Sequence, residues 1–182
     1  MKSIYRNRLG FAIALLVPFI ILGGIAFKPF LAKTQGEEIL LATETYDPRD
    51  LFRGDYVNLN LEISRSSYDK LPETILDEAE KYEGAFVYVL LKPDSRGYHS
   101  ICAISVDPPE EGVYLKARIS GLHRKGEFPK PHDVYLYYGL ERYYVQENTG
   151  EEMHYDSNQG TLDVKARVYK GYGYVAGLEK RK

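Results

Sequence analysis

The segment LGFAIALLVPFIILGGIAF, residues 9–27, carries no charged side chain, and it constrains the fold more than any other stretch. A helix rises ~1.5 Å per residue, so a run of this length approaches the ~30 Å hydrocarbon thickness of a bilayer. Within hydrocarbon every backbone polar group must bond inside its own segment, which leaves a helix as the conformation of a single crossing. Pro18 is tolerated at that depth and is expected to bend the helix. Lys2, Arg6 and Arg8 precede the run, and Lys28 and Lys33 follow it. This small bias favours a cytoplasmic N-terminus. A cleaved signal peptide is the competing reading. Its apolar region spans only about 7–15 residues and ends at a small-x-small site, and GGIAF is a poor site of that kind. The expected organisation is a cytoplasmic segment over 1–8, a signal anchor in the cytoplasmic membrane over 9–27, a juxtamembrane linker over 28–37 and an extracytoplasmic β domain over 38–182.

Beyond the apolar run, strand-like segments follow one another: ILLATETY, DYVNLNLEI, AFVYVLL, YHSICAISV, VYLKARISGL, HDVYLYYGL, TLDVKARVY and GYGYVAGLE. Their Val, Ile, Tyr and Thr content favours strands, and Gly, Pro or Asp punctuates the gaps. In DYVNLNLEI a period of two puts Val57, Leu59, Leu61 and Ile63 on one face. The chain holds 17 Tyr and no Trp, and tyrosine suits half-buried strand surfaces because its ring packs while its hydroxyl stays bonded. One segment differs. YDKLPETILDEAEKY sets Ile75, Leu76, Ala79 and Tyr82 at helical spacing behind Pro72, which predicts a helix over 71–81. A second helical turn is expected in GLERYYVQ. The fold class is mainly β with minor α: an antiparallel β barrel or sandwich preceded by one N-terminal transmembrane helix.

Charge and rare residues narrow the chemistry. With 24 Lys and Arg against 26 Asp and Glu, the net charge of −2 supplies no overall basic surface, so no nucleic-acid partner is expected. Cys102 is the single cysteine; it permits no intramolecular disulfide, no cysteine-based zinc site and no lipid attachment ahead of the domain. Its place in the alternating YHSICAISV suggests a small core residue. His99, His123, His132 and His154 stand isolated, without an HExxH spacing, so neither a metal nor a cofactor is expected. HYDSNQG reads as a polar hairpin loop and HRKGEFPKPH as a solvated one.

The stretch DPRDLFRGDYVNLNL brings charges of both signs up to a strand. Pro48 fixes φ, Asp47 can cap the amides that follow, and Gly54 gives a permissive backbone. Arg49 or Arg53 pairing with Asp50 or Glu141 would make a structural clasp. The same residues, Arg49, Asp50, Arg53 and Asp55 with Glu141 and Arg142, could instead form a polar pocket for a peptide terminus, an anionic headgroup or a partner's charged loop.

RGDYVNL and GLERYYVQENTGEE together resemble the GDYXXLXY family of membrane-anchored bacterial proteins. Gly54, Asp55, Tyr56 and Leu59 match the motif, and Leu61 stands where it ends in tyrosine. Residues 139–152 resemble the family's second block, an ERYFVPEG-like run. The resemblance covers most of the chain beyond residue 27. It implies a partner among multi-spanning membrane proteins and implies no activity. The resulting expectation is a membrane-anchored accessory or assembly module without catalysis, anchored in the lipid bilayer through residues 9–27. Its motif residues are Arg49, Asp50, Arg53, Gly54, Asp55, Tyr56, Glu141, Arg142 and Tyr143. The alternative is a membrane-tethered hydrolase with a signal-peptidase-like layout. Those enzymes place their nucleophile just before a Gly-Asp strand, where this chain has YDPRDLF; Ser64, Ser66 and Ser67 lie on the other side.

Overall fold

The structure, a computed structural model, describes residues 2–45, 56–122, 133–144 and 159–181, with the side chains of residues 2–9, 12 and 133 set aside. Helix α1 runs Lys2–Gln35 and contains Pro18 and Pro29. Its stretch Ile13–Gln35 is long and apolar enough to cross a membrane. Phe19 and Ile20 are 67% and 63% exposed, so the apolar surface of this run is not covered by the other described residues. Residues 28–35, expected within a linker over 28–37, are helical. The Gly36 amide still donates to Ala32 O at 3.0 Å, and strand β1 (Glu37–Ala42) follows at once. Ala32 is fully buried and Arg167 donates to the Lys33 carbonyl at 2.6 Å, so packing against the domain holds these last turns in helix. A side chain at Gly36 would meet Ala32 O at 2.2 Å.

The remaining elements are β2 (Tyr56–Asn58), β3 (Arg65–Ser67), α2 (Glu73–Asp77), α3 (Ala79–Tyr82), β4 (Phe86–Pro93), β5 (His99–Ser105), β6 (Val113–Gly121), β7 (Asp133–Tyr137), β8 (Arg142–Tyr144), β9 (Leu162–Tyr169) and β10 (Tyr172–Lys180). Strands pair antiparallel in the orders β1-β9-β10, β2-β8 and β3-β7-β6-β4-β5. Single bridges join these groups. Thr43 pairs with Leu61, and Leu115 with Gly171, where the Lys116 amide donates to Gly171 O at 2.8 Å. The result is a nearly closed, barrel-like sheet, which selects the barrel from the two expected architectures. Closure leaves few sheet edges unpaired.

Alternation fills the interior. Val87, Val89 and Leu91 of β4, Leu115, Ala117 and Ile119 of β6, and Val164, Ala166 and Val168 of β9 point into one core, as a period of two demands. Val57, Leu59, Leu61 and Ile63 are all buried as their spacing predicts, although only Tyr56–Asn58 is strand and Ile63 sits in the 3-10 turn Glu62–Ser64.

Three expectations are corrected. The helix over 71–81 is two short pieces broken at Glu78 (φ −115°, ψ 41°). Ile75 is fully buried while Leu76 is 36% exposed, so the segment has one strong anchor, and few helical hydrogen bonds cannot hold a straight helix without more packing. The turn expected in GLERYYVQ is strand β8, which pairs with β2 and suits its two tyrosines. Cys102 is exposed rather than in the core. The register between β4 and β5 slips at Leu90/Leu91, pairing Leu90 with Ala103 and Leu91 with Ile101. Cys102 is the extra residue of this bulge, and both Ile101 and Ile104 turn inward.

Candidate functional site

The two blocks that carry the family resemblance meet as one antiparallel ribbon. Tyr56 pairs with Tyr144, Val57 with Tyr143 and Asn58 with Arg142. Alternation sorts their side chains. Val57 is fully buried and Tyr143 packs against the core. Tyr56, Arg142 and Tyr144 stand on the outer face, with Tyr144 74% exposed. The Tyr56 and Tyr144 rings lie 6.0 Å apart at 58°, and the Arg142 guanidinium lies 5.3 Å from the Tyr56 centroid. This makes a tilted aromatic pair with a cation against one ring, each contact a modest attraction at the surface. The Leu59 amide donates to Glu141 O at 2.8 Å, which carries the pairing one step past the ribbon.

Glu141 serves the turn that precedes β8. Gly139 takes φ +80°, and the Tyr138 amide donates to Glu141 Oε1. Burial pushes the Glu141 carboxyl above the usual range, opposed by the backbone amides of Tyr138, Glu141, Gly139 and Leu140. Its Oε2 is buried without a hydrogen-bond partner among the described residues. Next to it, the Tyr138 hydroxyl donates to Ile63 O at 2.8 Å. Burial, and then the Glu141 charge, hold that phenol well above its ordinary pKa. Arg49, Asp50, Arg53, Gly54 and Asp55 lie outside the described residues, as does the expected clasp between an arginine and Glu141. Of the motif residues, the structure therefore brings together Tyr56, Glu141, Arg142 and Tyr143. Leu61, where the motif ends in tyrosine, is 1% exposed, a position that suits an all-carbon side chain.

A second cluster was not singled out from the sequence. Asp163, 8% exposed, accepts from the Tyr98 hydroxyl at 2.8 Å and from Arg181 Nε at 2.9 Å. Arg181 also donates to Thr43 O at 3.3 Å, while Thr43 Oγ1 donates to Leu162 O at 2.6 Å. The hydrogen bond to Asp163, then burial, raises the Tyr98 phenol above its ordinary pKa. The cluster ties Arg181, just past β10, to Asp163 at the start of β9 and to Thr43, just past β1. Period two would have turned Asp163 outward beside Val164, so the only sequence signal was an acid flanked by core residues. Among the described residues no three His, Cys, Asp or Glu side chains gather as a metal site. The Ser66 hydroxyl donates to Ser67 O at 3.4 Å and Lys70 to Ile101 O at 2.7 Å, so each is bonded to a backbone carbonyl.

No curated protein and no solved structure matches the chain. A family does match over residues 18–178, from within α1 to within β10 and through both motif blocks. On that span, with the paired blocks forming one ribbon of a barrel-like domain behind an apolar helix, the chain belongs to the GDYXXLXY protein family.

Proposed function

We propose that residues 9–27 are an uncleaved signal anchor in the cytoplasmic membrane, with the N-terminus inside and the barrel outside. On this reading the barrel is a non-catalytic accessory or assembly module that holds a multi-spanning membrane protein. The observation that carries the proposal is the outer face of the β2–β8 ribbon. Its inward positions serve the core, so packing explains Val57 and Tyr143. Packing does not explain the exposed Tyr56–Arg142–Tyr144 face. Tyrosine and arginine are among the residues that most often anchor protein interfaces, tyrosine through a large ring with two rotors and arginine through a planar charged fork. The apolar helix keeps this face within reach of other membrane proteins.

The test is crosslinking and capture from membranes, comparing wild type with Tyr144→Ala and Arg142→Glu. Both side chains are exposed, so an unchanged far-ultraviolet circular dichroism spectrum and melting temperature will show that the fold is kept. Recovery of one multi-spanning protein with wild type, lost with both variants, is the expected result. Equal recovery with all three overturns the assignment of the ribbon. The sidedness is tested at Cys102, which is exposed and the chain's single thiol. A membrane-impermeant maleimide should label it in intact cells or spheroplasts, and labelling that requires lysis would place the barrel inside.

A further inference from the structure

A groove of about 940 Å³ lies between the end of α1, the outer face of the five-stranded sheet and the β9–β10 hairpin. Its cations come from three separate elements: Lys28 from α1, Lys116 and Arg118 from β6, and Lys170 from the hairpin, and among the described residues no acidic side chain lines it. Phe86, Arg118 and Tyr137 form one cross-strand row, with Phe86 58% exposed. The Lys116 ammonium stands 4.3 Å from the Phe86 centroid. Four cations thus border an apolar floor that continues onto Phe27 and Leu31 of the helix.

Two observations say what such a groove holds. The first is its height. Phe27 ends the uncharged run and Lys28 is the first cation after it, so the groove opens where α1 leaves hydrocarbon for headgroups. The second is the hairpin tip. Tyr169 pairs directly with Tyr172, so Lys170 and Gly171 form a two-residue turn with φ 45° and 81°. Asn or Gly fills the first position of such a turn without strain, whereas lysine is strained there. A lysine in this position places a charge at the groove rim against the backbone's own preference.

We infer that the groove is a binding site for an anionic phospholipid of the leaflet that α1 leaves. Its phosphodiester faces Lys116, Arg118 and Lys170, and its acyl stem lies along Phe86, Phe27 and Leu31. An acidic peptide would match the cations but not the apolar floor running into the membrane-crossing stretch. The inference rests on the anchored reading of α1, and not on the ribbon or on which side the barrel lies.

The test uses the full chain in detergent micelles. Native mass spectrometry follows the binding of phosphatidylglycerol or phosphatidylcholine with identical acyl chains. Phosphatidylglycerol should bind more tightly on the order of a hundredfold, and Lys116→Gln/Arg118→Gln should lose about thirtyfold of that affinity. Phosphatidylcholine binding should not change. Equal binding of the two lipids, or a double variant that binds phosphatidylglycerol as wild type does, overturns the inference. So does binding of a polyglutamate peptide in preference to either lipid. Carbonate extraction of native membranes tests the anchor separately, because a protein released by carbonate defeats the anchored reading whatever the micelle titration shows.

Discussion

Asp163→Ala probes the polar cluster at the end of the three-stranded sheet. The carboxylate accepts from Tyr98 at 2.8 Å and from Arg181 at 2.9 Å. Hydrogen bonds to a charged group are worth about 1.5–3 kcal/mol each when water cannot replace them. Here water partly can, because Tyr98 is half-buried and the Arg181 side chain is 34% exposed. About 1 kcal/mol for each bond is then reasonable, giving a loss of about 2 kcal/mol. For a domain of this size that lowers Tm by roughly 4–8 °C. Arg181→Ala should cost less than Asp163→Ala, and a double-mutant cycle should show a coupling of about 1 kcal/mol. With 17 Tyr and no Trp, near-ultraviolet circular dichroism of tyrosine follows urea unfolding of the full chain in micelles. Tyr98 adds a pH signature. Its phenol is raised in the fold, so the folded state keeps this proton longer than the unfolded chain. The contribution is therefore complete below about pH 10, the ordinary tyrosine value, and is lost as pH rises through the folded value. Asp163→Ala should remove that alkaline dependence. A loss under about 0.5 kcal/mol together with no coupling would refute the stabilising role of the Asp163 cluster, since such values are ordinary for surface sites.

Three further outcomes are expected. Ile75→Ala should cost about 2–5 kcal/mol because the side chain is fully buried, whereas Leu76→Ala, half outside the core, should stay near neutral by the same denaturation. Lys170→Asn should raise stability by up to about 1 kcal/mol by relieving a left-handed lysine, while weakening phosphatidylglycerol binding in the micelle titration. For Glu141 the raised carboxyl means that the folded state holds its proton longer. Its contribution is full below the ordinary glutamate value of about 4.3 and declines as pH rises through the folded value; Glu141→Gln should flatten that stretch of the Tm–pH curve.

Much of the barrel was readable from alternation. β4, β6 and β9 bury every second residue, and the apolar residues of DYVNLNLEI reached the core even where the strand gave way to a 3-10 turn. The failures share a cause: local patterns do not register which distant segment a residue meets, or in what register. Cys102 lies in the apolar run Ile101–Ile104, and the register slip against β4 turns it outward. The GLERYYVQ block read as a helical turn, and the pairing of Arg142–Tyr144 with Tyr56–Asn58 makes it strand instead. Asp163 was missed because Tyr98 and Arg181 are distant in sequence and meet it only through the fold. Within the motif, the inward place of Val57 was legible from its own spacing, whereas the meeting of Tyr56 with Arg142 and Tyr144 follows from the ribbon register, which no single segment contains.

The junction between α1 and β1 has a mechanical consequence. Only Gly36 separates helix from strand, Ala32 is wedged against the domain and Arg167 grips the Lys33 carbonyl. With so short a joint, the barrel turns with the helix like a head on a screw. Each residue added to or removed from the helix advances the barrel by about 100° and 1.5 Å. On the anchored reading proposed above, helical phase therefore sets which side of the barrel looks toward a neighbour in the bilayer. Single-residue insertions above Ala32 should cycle interaction with that neighbour off and on with a period near 3.6, without altering a residue of the barrel itself.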